Sequence, residues 1–582
     1  MRSFALAGLL AVTVMLEARG FVIIRYGSGH PLRWDLLTTP VSVSTNVVNR
    51  TTHAVRYFLG SDAYSATNTA AELNAVRAAF GQWQAVSDSH LKFEDAGLVV
   101  PPMDVDLNDH RNLIFWAKNS TFVNGGMDNI SGALGVTFSS STDPDNVFVE
   151  ADIAFNGVEY NWFTDYFDPS NSSIFVESVA MHEIGHFIGL KHVPIGGGAM
   201  FHRAPPGLSL QAGLSADDIS AARYLYPVTP ANYGAVKGTI TKGGSPILGA
   251  AVFARNAAGN TVAGTVTASN GTYQISALPS GNYQIRVAPL DDASASDSLC
   301  RGYDVGMDYA AADTTFLPTT NKSLTVVANA TNTADFSVTA GTPTFRITRV
   351  RTPSAVAGAY SSGRTPVALR AGQSNFFVTV FSADLPTNGA IFTITGDGLT
   401  MGTPTYQPGN IFAGLNGITM SLSVASNATP GMRDFIVQQG ADTAYASGFF
   451  EVLATITDDN FDGLDDSFQR QYFPLFTAAN AAPAADPDGD LMNNYAESIA
   501  GTVPTNAASV LKLLSVARTG NTATLRWISG NGKKYQLAYR ANLATGGWSN
   551  LGSIVIGAGT NTQFADTTAT NAFRFYRVQA LP

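Results

Sequence analysis

The stretch MHEIGHFIGLKH, Met181 to His192, sets three histidines, a glutamate and a helix-ending glycine at fixed offsets. On a helix, His182 and His186 stand four residues apart and project from one face, so their ring nitrogens can meet at one metal ion. Glu183 is turned from His182 by about 100°, which lets it face that metal across a water without ligating it. Gly189 permits a φ > 0 turn that stops the helix, and the turn can swing His192 back as a third ligand. Three neutral imidazoles and one open position are the ligand set of catalytic rather than structural zinc. The alternative is an amphipathic helix that happens to be rich in histidine. Five fixed positions coincide by chance in a chain of this size on the order of once in 10⁵. Val179, Ile184, Phe187 and Leu190 supply the apolar side such a helix must bury.

Convergence of three rings needs a rigid frame, and the frame must lie near them. All eight histidines (His30, His53, His90, His110, His182, His186, His192, His202) fall in the first 202 residues. There, LRWDLLTTPVSVSTN alternates apolar and polar residues and reads as a strand. TAAELNAVRAAFGQWQAV carries Leu73, Val76, Phe80 and Trp83 at helical spacing. LKFED, NLIFWAK, ALGVTF and VFVEADIAF follow as short strands. A second helix is predicted from near Ser173 and holds the histidines. SADDISAARYLYP forms a third, with Ser215 as N-cap and Pro227 as the stop.

At these residues the chain resembles a known family. HEIGHFIGLKH matches the metzincin zinc motif, and roughly residues 32–227 are most similar to its matrixin branch. Met200, eight residues after His192, stands where a matrixin places its Met-turn methionine, a floor beneath the zinc. The resemblance implies an α+β catalytic domain, a twisted mixed sheet with three helices, beginning near Arg33-Trp34. It implies zinc on His182, His186 and His192, with Glu183 as the general base that takes a proton from water and passes it to the departing amine. The metal's part is to lower the pKa of that water towards about 7 and polarise the carbonyl. Substrate would lie extended along ALGVTF, with selectivity in FHRAPPGLSLQAG.

Departures from the family carry information too. Val136 and Ala154 occupy positions where animal matrixins hold a second, structural zinc, so that site is expected to be missing. Glu159 fits a calcium ligand beside the same strand, whereas Asn156 replaces an aspartate. Phe201-His202 follows Met200 in place of Tyr-Pro. His202 sits at an offset where other metzincins carry a zinc-ligating or oxyanion-steadying tyrosine, and the alternative is a loop histidine. No cysteine precedes the catalytic domain to hold it latent.

The other 380 or so residues read as accessory modules. At 582 residues, 45% hydrophobic and 13% charged, the chain is several globular domains. A net charge of −10 without a basic run argues against nucleic acid as a partner. One cysteine, Cys300, excludes a disulfide framework. Arg2, the apolar run Phe4 to Leu16 and the small residues Ala18 and Gly20 read as an export signal at 1–20, the alternative being an uncleaved N-terminal anchor. A matrixin-like domain follows at 21–228. A β-sandwich at 234–340 resembles carboxypeptidase regulatory-like domains, and an Ig-like β-sandwich is expected at 342–454. An Asp-rich segment at 456–506 resembles paired EF-hand, dockerin or thrombospondin type 3 calcium loops, and a fibronectin-like sandwich closes the chain at 507–582. In the Asp-rich segment Asp458, Asn460, Asp462 and Asp466 form one loop, with Gly463 at the turn and Gln469 twelfth. Asp486, Asp488, Asp490, Asn494 and Glu497 form the other, with Leu491 where glycine is usual. The alternative is a solvated acidic linker.

The expected protein is a secreted, monomeric zinc endopeptidase with structural calcium, soluble after export, acting on extracellular protein. Its β-modules are candidates for binding matrix or cell surface. The rival is an adhesin whose peptidase domain is vestigial or cuts only its own chain.

Overall fold

The computed structural model describes residues 22–24, 30–142, 146–167, 173–204, 211–290 and, with short gaps, 311–582. The expected export signal at 1–20, Cys300 and residues 205–210 of the loop after Met200 lie outside them. The chain forms two compact units, residues 1–455 and 456–582.

The first unit opens with an α+β domain. Strands β1 (Val48–Asn49), β2 (Ala54–Gly60), β3 (Phe93–Val99), β4 (Leu113–Ala117), β5 (Gly135–Ser141) and β6 (Phe148–Asn156) make one sheet. Its order is β1-β2-β4-β6-β5, with β3 also beside β2. β2, β3, β4 and β6 pair in parallel, and β5 closes the sheet antiparallel to β6. Helix α1 (Thr69–Ala85) crosses between β2 and β3 and turns Leu73, Val76, Phe80 and Trp83 into the core, as its spacing predicts. Burying each large aromatic contributes about 2–3 kcal/mol. Helix α2 (Val176–Phe187) starts three residues after Ser173, and α3 (Ala216–Leu225) starts at Ser215 through a capping box with Asp218.

LRWDLLTTPVSVSTN is not a ladder strand. Leu32, Trp34 and Leu36 are buried in alternation, but the β-bridge from Arg33 to Val147 is isolated and extends into no ladder. Its period of two comes from an extended chain laid across the core. Trp34 anchors it, donating Nε1–H to Phe187 O at 2.9 Å. Nor does the domain begin at Arg33. Val22, Ile23 and Ile24 are buried, and Ile24 N donates to Gly189 O beside the histidine turn.

Two β-sandwiches complete this unit. The first pairs a five-stranded sheet built on Gly234–Lys242 with a four-stranded sheet built on Ala250–Asn256 and Gly281–Pro289. The second faces a six-stranded sheet against a four-stranded one containing Gly431–Gln439 and Asp442–Leu453. The buried core is continuous past Pro227: Phe253, Val266, Leu290 and Met432 belong to the same cluster as Met200 and Phe187. No described helix is long and apolar enough to cross a membrane.

In the second unit, short helices Asp466–Tyr472 and Asn494–Ala500 precede two three-stranded sheets. The sheets close over Leu525, Trp527, Tyr535 and Leu537. Tyr535 Oη donates to Ala500 O at 2.6 Å and ties the helical segment to the sandwich.

Candidate functional site

Helix α2 is gripped from behind. Trp83 Nε1–H donates to Met181 O at 3.0 Å and Gln82 Nε2 to Glu177 Oε1 at 2.6 Å, both buried. This fixes the face that carries His182 and His186. The helix ends at Phe187, and Gly189 turns the chain with φ +110°. A Cβ on Gly189 would lie 2.1 Å from Leu32 O, so the turn needs glycine for space as well as for dihedral. The turn brings His192 back to the helix.

His192 Nε2 lies 3.0 Å from His182 Nε2 and 3.3 Å from His186 Nε2. His182 Nδ1 is 2.8 Å from Ala199 O, and His186 Nδ1 is 2.8 Å from Leu190 O. A carbonyl can only accept, so each Nδ1 carries a proton, and in the neutral ring that leaves Nε2 with its lone pair. Burial first, and then neighbouring His186, push His182 down to about 3. Burial and the surrounding histidines hold His192 well below the usual imidazole range. Three neutral nitrogens facing one another at this range lack protons enough to bond mutually, and they fit a cation. Zn–N bonds of about 2.0–2.1 Å in tetrahedral geometry separate the ligand atoms by about 3.3 Å. Among the described residues, only two groups of His, Cys, Asp or Glu bring three ligand atoms within 4.8 Å of one another, and this is one of them.

Met200 is the floor. It is buried, and a Cβ on Gly185 would sit 2.0 Å from its sulfur, so the glycine between the two helical ligands lets the methionine pack directly beneath them. Ala199, whose carbonyl orients His182, is fixed in turn by Ala199 N donating to Asp218 Oδ2 at 2.9 Å.

Glu183 is 4% exposed and lies against edge strand β5. Thr137 Oγ1 donates to Glu183 Oε2 at 2.7 Å and also lies 3.0 Å from Glu183 O. A Cβ on Gly135 would come within 3.0 Å of the Glu183 side chain. Thr137, Gly135, Gly185 and Asp218 are the functional residues that spacing missed. Only Asp218 carried a sequence signal, as the third residue after the Ser215 N-cap.

Other predicted residues fare differently. His202 is outside the converging trio: its ring centre lies 6.2 Å from that of His192, and Arg203 Nε donates to its Nε2 at 3.1 Å. Val136 and Ala154 are register partners across β5 and β6 and pack in an apolar cluster. At Glu159, neutral donors fill the spot proposed for calcium. Asn156 Nδ2 faces Glu159 Oε2 at 2.8 Å and the carbonyls of Ala133 and Ile130 at 3.1 and 3.3 Å. Ser131 Oγ and Gly132 N donate to the same carboxylate.

The Asp-rich segment holds the second ligand group, Asp486, Asp488 and Asp490. In both loops the first aspartate accepts from the sixth amide: Asp458 from Gly463 at 3.1 Å and Asp486 from Leu491 at 3.0 Å. The fourth and sixth residues both have φ > 0, Phe461 and Gly463 in one loop, Gly489 and Leu491 in the other. The loops then diverge. In the first, amides satisfy the carboxylate: Asn460 and Gln469 both donate to Asp462 Oδ2. Asp466 is buried and accepts from Asp459 N at 2.6 Å. In the second, Glu497 is fully buried, and burial together with Asp488, Asp490 and Asp486 pushes it up to about 7. Asn494 Nδ2 donates to Asn480 O and Ala482 O and braces the helix start.

Comparison with known proteins agrees with this geometry. Residues 49–227 match the matrixin family and residues 235–297 the carboxypeptidase regulatory-like domain. Metalloendoproteinase 4-MMP of Arabidopsis thaliana is 32% identical over 157 residues, 26% of this chain and 40% of that protein. Likenesses among solved structures are remote. The major pilin BcpA of Bacillus cereus is 9% identical over 57% of this chain and 85% of its own, with a TM-score of 0.15. The 5-hydroxyisourate hydrolase of Klebsiella pneumoniae is 18% identical over 22% of this chain and 92% of its own, with a TM-score of 0.13. Scores so low carry no argument, and the assignment rests on the family matches and the histidine turn. Residues 49–227 therefore form a matrixin domain, joined to a carboxypeptidase regulatory-like domain at 235–297 and followed by further β-modules.

Proposed function

We propose that the chain is a secreted zinc-dependent endopeptidase that hydrolyses extracellular protein, with Glu183 as general base. The observation that carries this reading is the convergence of three lone-pair Nε2 atoms beside a braced glutamate. Zinc held by His182, His186 and His192 would supply an acidified water and a polarised carbonyl. Thr137 holds the Glu183 carboxylate at the rim of the site. Glu183 takes the water's proton and delivers it to the amine as the peptide bond breaks. Strand β5 ends the sheet, so an extended substrate can add to its open edge through main-chain hydrogen bonds. Export is supported by the charged and apolar pattern of residues 1–20. Calcium in the Asp486–Glu497 loop is part of the same reading, supported by three clustered aspartates and the buried Glu497. A vestigial peptidase accords poorly with an intact, hydrogen-bonded Glu183.

Glu183→Ala is expected to keep one zinc per chain by metal analysis while losing about 10²–10⁴-fold in peptide hydrolysis. Zinc-loaded wild type that cleaves nothing across a broad peptide library would overturn the enzyme reading.

A further inference from the structure

The loop from Val193 to Ala199 joins the third histidine to the Met-turn, and it does not lie free on the catalytic domain. Its glycine run is pressed against the second β-sandwich. Gly196 N donates to Ser447 O at 3.0 Å. A Cβ on Gly196 would meet Phe449 Cδ2 at 2.8 Å, and one on Gly197 would meet Met432 Sδ at 2.6 Å. From the other side, a Cβ on Gly448 would meet Ile195 at 2.5 Å, and Ile195 is fully buried.

The sandwich is shaped for this contact. Pairing of its strands Gly431–Gln439 and Asp442–Leu453 shifts between Arg433 and Phe435, so residues 447–449 bulge opposite Asp434. Asp434 is buried, accepts from Gly448 N at 2.9 Å and pairs with Arg286 of the first sandwich at 3.0 Å. Arg286 also donates to Ser447 Oγ at 2.9 Å and stacks 3.8 Å from the centre of the Tyr445 ring. Both charges are withdrawn from water, and Arg286 Nη2 bridges Asp434 and Ser447, so removing either partner would leave the other buried and uncompensated. The first sandwich touches the catalytic domain too, through Gly264 N donating to buried Asp217 at 2.9 Å.

We propose that the second β-sandwich is a working part of the zinc centre. Asp434 and Arg286 act as positioning residues: they hold the Ser447–Phe449 bulge, the bulge holds Gly196, and the loop so fixed presents Ala199 O to His182 Nδ1. Outer-shell carbonyls of this kind fix the tautomer and angle of a ligand, and losing them costs about 10–100-fold in metal affinity.

The inference rests on the zinc-endopeptidase reading, and the test separates the two. In the full chain, Gly196→Ala drives a methyl into Phe449, and Asp434→Asn breaks the ion pair. Val437→Ala is the control, deleting two methyls from the core of the same sandwich away from the bulge. The rate of zinc loss to a competing chelator is followed well below each variant's melting temperature, with kcat and KM for a peptide alongside. G196A is expected to lose zinc about tenfold faster, with reduced kcat and little change in KM. D434N should move the same way by less, and V437A should match wild type. Wild-type rates in both G196A and D434N overturn the proposal, as does equal acceleration in V437A. Wild type that holds no zinc at all overturns the enzyme reading and this inference with it.

Discussion

In the histidine turn every ligand is neutral, and two of the three are oriented by a backbone carbonyl through the nitrogen not facing the metal. In the second Asp-rich loop the candidate ligands are anionic, gathered within 4.8 Å, and beside them lies a glutamate that burial first, and then the aspartates, push towards protonation. The first arrangement costs little to hold without a cation, because neutral lone pairs repel weakly. The second sets like charges close together and partly desolvates them. A centre that performs chemistry benefits from geometry that outlasts the exchange of its fourth ligand. A structural cation serves best where the apo state is unfavourable, since the binding energy then becomes folding energy.

That contrast can be broken most directly by removing the metals. Chelating calcium is expected to lower the melting transition of the 456–582 unit by about 10 °C, from a linkage of about 2.7 kcal/mol at 100-fold saturation. Removing zinc should leave the histidine rings in the Nδ1–H tautomer, read by nitrogen NMR of the apo chain. A tail transition indifferent to calcium would reduce the Asp-rich segment to a solvated linker. Apo rings that change tautomer would show that the carbonyl braces do not hold without the metal.

A smaller effect probes the brace on Glu183. Thr137→Val keeps the shape of the side chain and removes its hydroxyl, a hydrogen bond to a charged group worth about 1.5 kcal/mol. The expectation is a fall in kcat of about tenfold with unchanged zinc content. Unaltered kcat would mean that helix α2 alone aims Glu183, which would make the site more self-contained than the structure suggests.

The reach of the sequence follows the range of the interactions. His182, His186 and His192 span eleven residues, and helix geometry with one glycine turn suffices to gather them. Met200 was legible only through the family resemblance, which places a methionine eight residues after the third histidine. Thr137 meets Glu183 across 46 residues of chain, and no periodicity connects the two. The contact of Gly196 with Ser447 is longer still, and nothing in GGG announces it, although each of the first two glycines is needed for close approach. The segment around Trp34 shows the converse: alternation gave its burial correctly and its hydrogen bonding wrongly, because side-chain period reports what faces the core and is silent on ladder partners. Asn156 marks a third limit. Composition offered an oxygen ligand, whereas its amide nitrogen occupies the point where three oxygens meet.

The finest test of the contrast lies in one exposed side chain. Leu491 holds φ +76° at the sixth position of its loop, where the companion loop has Gly463 at +86°. A left-handed conformation costs a β-carbon residue about 1–2 kcal/mol, and Leu491 is 94% exposed, so no burial offsets that cost. Leu491→Gly removes the strain but gives the unfolded chain more freedom, worth up to about 1 kcal/mol in the opposite direction. The balance should be a gain of up to about 1 kcal/mol in the stability of the 456–582 unit, measured by denaturant titration without calcium. If the aspartates alone impose the loop, calcium affinity should hardly change in the same variant, because Leu491 contributes its amide to Asp486 and glycine supplies the same amide. A loss of stability on substitution would mean that the calcium-free loop relaxes out of the left-handed turn, and that the cation itself bends the chain into it.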